Sequence, residues 1–135
     1  MREGYDYTEG AGRMMVVYVA SPYTAARGEL VHINVCTAMD AALHLRAIGH
    51  MPIVPHLSHY LHLRWCESGY DAPYEYWLAT GKTLMRVCDA IVFVGKWTQS
   101  AGCKDELRWA KKIGLQIYRC LGDVPPASDG TRGEG

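Results

Sequence analysis

The chain has 135 residues, a length that suits one domain, and its 14 basic residues balance 14 acidic ones. That neutrality speaks against a polyanion groove or an anionic membrane surface, so neither nucleic acid nor membrane is expected as a partner. No apolar run approaches the roughly 20 residues of a membrane span, and no signal-like apolar segment opens the chain. The cysteines Cys36, Cys66, Cys88, Cys103 and Cys120 are odd in number and form no C-x-x-C pair, which reads as a reduced, cytoplasmic set.

Residues 1–13 are rich in Gly and Glu with no apolar period, and residues 122–135 carry Pro-Pro, Asp-Gly and Arg-Gly-Glu-Gly. Both are expected to be disordered tails around a folded unit of residues 14–121. Within that unit residues 14–20 form a continuous apolar, β-branched run, the mark of a buried parallel strand. Residues 29–47 place Leu30, Ile33, Val35, Ala38, Ala41, Ala42, Leu45 and Ile48 at helical spacing, with Gly49 as the stop. Residues 51–54 are a short second strand. Residues 55–72, dense in His, Tyr and Trp, read as a long irregular loop, and loops of that length are usually functional or mobile.

Pro73 suits the first turn of a second helix reaching about Val87. Residues 90–94 are the third strand, residues 102–113 a third helix ending at Gly114, and residues 115–121 the last strand. Strands and helices alternate, and right-handed crossovers turn that pattern into a parallel sheet of four to five strands with helices on both faces.

Ser100-Ala-Gly-Cys-Lys-Asp-Glu106 follows the third strand directly. Ligands of parallel α/β proteins gather at the carboxyl ends of strands, and the N–H groups of a helix start attract anions. Glu106, placed by this reading in the first turn, would face that crevice. A carboxylate there can attack a sugar carbon through an oxocarbenium-like transition state. Ser100 caps the helix or binds a phosphate or hydroxyl, and Gly102 allows the turn. Tyr18 lies on the first strand. At its carboxyl end Ser21 and Tyr23 are placed to meet a phosphate and a base.

His56, His59 and His62 recur every third residue, but no H-E-x-x-H accompanies them. Polar lining of a ligand pocket is the expected role of His56 and His59, with no metal. Gly81-Lys-Thr83 imitates the end of a P-loop but lacks the glycine five residues earlier, where Tyr76 stands. Cys103, with no histidine near in sequence to activate it, reads as a small buried thiol.

Taken together, Val17-Tyr-Val-Ala-Ser-Pro-Tyr23, Pro52-Ile-Val-Pro-His-Leu-Ser-His59, Tyr76-Trp-Leu78, Cys88-Asp-Ala-Ile-Val92 and Ser100-x-Gly-x-x-x-Glu106-Leu resemble the nucleoside 2-deoxyribosyltransferase superfamily. That group includes the 2'-deoxynucleoside 5'-phosphate N-hydrolases and CMP N-glycosidases. The resemblance implies a flavodoxin-like, Rossmann-like three-layer α/β sandwich, no cofactor, and a homodimer or homotetramer. It makes Glu106 the nucleophile on C1' of the sugar and Tyr18 the residue that orients it, and it sets Tyr23 near the base.

Deoxyribosyltransferases proper carry an aspartate at the place of Ser100; the nucleotide N-hydrolases carry a serine that helps bind the 5'-phosphate. The resemblance thus leans to a nucleoside 5'-monophosphate cleaved by a retaining N-glycosidase. The alternatives are base exchange by a transferase and a non-catalytic nucleotide sensor. One departure stands out: Gly81 occupies the place of a family aspartate poised toward the leaving base. Assistance to that base would then fall to Asp89, His56 or His59.

Overall fold

A computed structural model describes residues 14–23, 28–69 and 74–127, without the side chains of residues 28–30, 59 and 74. The expected tail 1–13, residues 128–135 and Pro73 lie outside the described residues, as do the side chains of Leu30 and His59. Four strands, β1 (Val16–Ala20), β2 (Met51–Ile53), β3 (Ala90–Phe93) and β4 (Gln116–Tyr118), form one parallel sheet in the order β2-β1-β3-β4. The helices are α1 (Gly28–Ala47), α2 (Ser58–Glu67), α3 (Tyr74–Met85) and α4 (Ala101–Ile113). The arrangement is the flavodoxin-like three-layer α/β sandwich. None of the described helices is long and apolar enough to cross a membrane.

β1 and β3 are central, covered on both faces, and so read as unbroken apolar runs. Val17 and Val19 point to one side, where they meet Val92 and the α1 residues Ala38, Ala41 and Leu45. Tyr18 and Ala20 point to the other, against Ile91, Phe93, Met85 of α3, and Cys103 and Ala110 of α4. Each large apolar side chain fully buried in these layers contributes about 1.5–3 kcal/mol. The α1 stripe holds through Val35, Ala38, Ala41 and Leu45, but Ile33 departs from it and is 55% exposed. Gly114 ends α4 in the left-handed region at φ 80°.

The expected loop over residues 55–72 is instead largely helical. Pro55 starts a short 3-10 turn, where its missing N–H costs nothing, and α2 follows at Ser58. α2 lacks the usual apolar stripe because its pattern is inverted: Leu61 and Leu63 are about half exposed, while Trp65 turns inward. There Trp65 meets Tyr76 of α3 edge-on and Trp77 at a tilt, with ring centroids 5.7 Å away in both cases. The aromatic segment thus packs α2 on α3.

A second correction concerns the C-terminal side. The chain does not leave the domain at Leu121. Val124 and Ala127 are buried on the α1 side of the sheet, and the Ala127 N–H donates to the Ile48 carbonyl at 2.7 Å. His50, itself buried, clamps this segment. Its Nδ1 accepts from the Met15 N–H at 3.1 Å and its Nε2–H donates to the Pro125 carbonyl at 2.7 Å. One imidazole tautomer therefore ties the entry of β1 to the end of the described chain.

Replacing His50 with Phe keeps the volume and removes both bonds. The two stranded backbone groups should cost about 2–3 kcal/mol in denaturant unfolding and speed amide exchange at Ala127. An unchanged midpoint would contradict the clamp.

Candidate active site

A cavity of about 1220 Å³ opens at the carboxyl ends of the strands, between α1 on one side and α3 and α4 on the other. This is the topological switch point, where the connection from β1 runs to one neighbour and the connection from β3 to the other. At its floor the Tyr18 hydroxyl donates to Glu106 Oε2 at 2.6 Å. Tyr18 is only 1% exposed, so a strand residue that sequence alone could assign to core packing is core and site together.

Burial pushes the Glu106 carboxyl up from the ordinary carboxylate range to about 7, against the Tyr18 hydrogen bond, with the Asp105 charge adding to the rise. Burial and the neighbouring Glu106 charge hold the Tyr18 phenol well above its ordinary value. The shared proton therefore stays on the tyrosine, and the glutamate is the acceptor.

The helix holding Glu106 begins one residue earlier than its glycine suggested. Ser100 is the N-cap, its hydroxyl accepting from the Cys103 N–H at 3.2 Å. Glu106 accordingly sits in the second turn and not the first. Stabilisation by the helix dipole, which fades within the first turn, does not account for it. Gly102 lies inside the helix, and a side chain there would make only ordinary contact with Ser100 Oγ at 3.8 Å, so no turn requires it. Ser100 and Gly102 both line the cavity, as do Ser21, Tyr23 and His56.

Ser21 is buried where the chain turns away from β1, close against Gly95 after β3. Tyr23 meets the His56 ring edge-on, with centroids 5.6 Å apart. His56 Nε2 lies 3.1 Å from the Pro22 carbonyl, which can only accept, so this nitrogen carries the proton. Burial lowers the His56 pKa below the ordinary histidine value, and the ring is neutral at pH 7. Its Nδ1 is a buried acceptor with no partner among the described residues. His56 is consequently poorly suited to protonate a leaving base. The side chain of His59 lies outside the described residues, and among these no group of three or more His, Cys, Asp or Glu is placed to hold a metal.

Among the expected site residues whose side chains are described, the fold takes Asp89 elsewhere. It precedes β3, at the amino end of the sheet, while the cavity opens at the carboxyl end. Its carboxylate accepts from the Val16 N–H at 2.7 Å and its own N–H donates to the Val16 carbonyl at 2.8 Å. Asp89 pins β1 to β3 and has no route to a ligand in the cavity. Gly81-Lys-Thr83 lies inside α3, far from any helix start, which removes the P-loop likeness. Cys103 is buried, and its thiol is pushed up to about 12 by that burial.

Residues missed by pattern reading complete the walls. Ile33, Asn34 and Thr37 bring the first half of α1 to the cavity, Asn34 donating to the Tyr23 carbonyl at 3.3 Å. The exposure of Ile33, an error in an amphipathic stripe, was the available sign. Lys82 of α3 also lines the cavity, 4.0 Å from Asp105 and over the Trp109 ring.

Two outcomes follow from this geometry. Asp89→Ala should lower stability by about 1–2 kcal/mol while leaving ligand affinity in the cavity unchanged; a weakened ligand at unchanged stability would return Asp89 to the site. For Glu106 the sign is set by a native pKa near 7, above its ordinary value of 4.5. The native state keeps a proton that the unfolded chain gives up, so this carboxyl costs stability as pH rises from 4.5 through 7. Glu106→Gln should therefore stabilise the protein at pH 8 by about 1–3 kcal/mol and make little difference at pH 4. Equal melting shifts at both pH values would refute the burial of this charge.

A comparison with curated proteins finds no match. A family model described as Domain of unknown function (DUF1937) matches residues 15–120, the span from the entry of β1 to just past β4 that contains every side chain of the site. The chain belongs to the DUF1937 family.

Proposed function

We propose that this protein is a retaining N-glycosidase that cleaves the base–sugar bond of a nucleoside 5'-monophosphate, with Glu106 as nucleophile. One observation carries the reading: a half-buried carboxylate, held by a tyrosine hydroxyl at 2.6 Å, stands at the floor of a large cavity at the strand ends. With Oε2 engaged by Tyr18, Oε1 is the oxygen for the sugar. It attacks C1' as the C1'–N bond breaks, and the bonding electron pair leaves with the base, which takes its proton from water. Water then attacks C1' of the glycosyl ester. The C1'–O bond to Glu106 breaks, the carboxylate is restored, and the second water proton returns to solvent.

The remaining polar groups fit a phosphate. The Ala101 and Gly102 amides open α4 ahead of the capped Cys103 amide, and their N–H groups with the Ser21 and Ser100 hydroxyls make a neutral anion cradle. Tyr23, beside neutral His56, offers a ring for a base. The reading needs no cofactor, and it carries with it the paired subunits that the resemblance implies.

The test is a panel of ribo- and deoxyribonucleoside monophosphates, with released base measured by chromatography. Base should be released from at least one of them. Glu106→Gln should reduce the rate by about 10³-fold or more with binding largely kept. Because the attacking form is the carboxylate, kcat/KM should rise with pH through about 7 and fall below it. Adding a second free base separates hydrolysis from transfer, since an exchanged nucleotide would mark a transferase. Nucleotide binding without release of any base would replace the enzyme reading with that of a sensor.

A further inference from the structure

Gly81 lies well inside α3 and is buried, yet alanine is the better helix former at such a position. A glycine kept against local preference calls for a neighbour that needs the space. A Cβ on Gly81 would stand 3.0 Å from the Tyr18 hydroxyl oxygen and 3.9 Å from Glu106 Oε2. Among the described residues outside its own helix turn, no other atom comes within 4 Å. The missing side chain therefore serves neither helix packing nor a turn. The space it leaves belongs to the tyrosine–glutamate pair.

The Tyr18 ring is fixed at its base, and only its hydroxyl end meets the cavity. Its strand is central, paired with Ile53 on one side and Ile91 on the other, and its ring is closed in by the α3 and α4 core. We propose that Gly81 is a positioning residue for this pair: its bare Cα lets the Tyr18 hydroxyl lie against α3 and reach Glu106. In this chain a Cβ at 3.0 Å would crowd the hydroxyl oxygen and force it to shift by a few tenths of an ångström, which weakens its bond to the carboxylate.

The inference deepens the glycosidase reading and rests on it for the activity readout, but not for the titration. Glu106 is faced by Tyr18 from β1 and by Asp105 and Cys103 from its own helix, while Lys82 of α3 lies against Asp105. Of these only the Tyr18 hydroxyl touches the position in question, and its bond holds the Glu106 pKa down.

The experiment titrates the Glu106 carboxyl by carbon NMR in the wild type, Gly81→Ala, Tyr18→Phe and the double variant. The pH profile of base release is followed alongside. Gly81→Ala should raise the Glu106 midpoint by about one pH unit, a tenfold loss of carboxylate below it, and move the acid limb of activity the same way. In the Tyr18→Phe background, where the hydroxyl is gone, Gly81→Ala should add nothing further.

An unmoved midpoint in Gly81→Ala, or a shift that adds in full to that of Tyr18→Phe, would overturn the proposal. Should Gly81→Ala fail to fold, the double variant decides: rescue by removing the hydroxyl supports the clash, and no rescue refutes it. The expected titrations without base release from any nucleotide would sink the glycosidase reading and leave the role of Gly81 standing.

Discussion

A carboxylate taken out of water needs a donor close by, and Glu106 has one in the Tyr18 hydroxyl. Burial alone drives this group toward its neutral form, while the hydrogen bond favours the charged form. The balance between them sets where the site titrates. Three elements must agree for the bond to exist. β1 supplies a tyrosine on the α3–α4 face of the sheet, α4 carries the glutamate on its second turn, and α3 passes over both with a glycine. Packing of α3 and α4 on that face is thus part of the chemistry of the cavity as well as of the core.

The two ends of the sheet are treated in opposite ways. At the amino end Asp89 exchanges two hydrogen bonds with Val16, and His50 spans from Met15 to Pro125. Backbone groups that strands leave unpaired are satisfied there by side chains, and the end is closed. At the carboxyl end the chain after β1 and β3 diverges, Ser100 caps a helix that starts beside the opening, and the space between is left empty. The rigid end fixes strand register, and register decides that Tyr18, and neither of its valine neighbours, faces the glutamate.

The sheet and three of its four helices were legible because buried parallel strands and the α1 and α4 boundaries obey local rules: apolar runs, a serine cap, a stop at Gly114. α2 was not legible, since Leu61 and Leu63 face outward while His62 and Trp65 turn inward, the reverse of the usual stripe. The docking of residues 122–127 was equally hidden. Pro-Pro and glycine describe the conformation of that segment but not the buried places taken by Val124 and Ala127.

At the site, Glu106 and Tyr18 could be paired in advance only through a resemblance. Their separation of 88 positions in sequence has no local signature. Asp89 was misassigned for a related reason. Its position beside the third strand was right, but the direction of the chain places it at the closed end.

Burial acts on five ionisable groups around the cavity, yet it sorts them. It raises Tyr18, Tyr23 and Cys103, and it lowers His56. Each of these is already neutral near pH 7, so the shift carries its titration farther from the working range. Glu106 starts from the acid side, and the same displacement brings it to about 7. One physical cause therefore silences four groups and poises the fifth. Two carboxylates on adjacent α4 positions show the same dependence on place. Asp105 lies near Lys82 and Arg108 with its side chain partly in solvent, while Glu106 turns inward to the phenol. Chemical type does not distinguish them; depth and the single hydroxyl do.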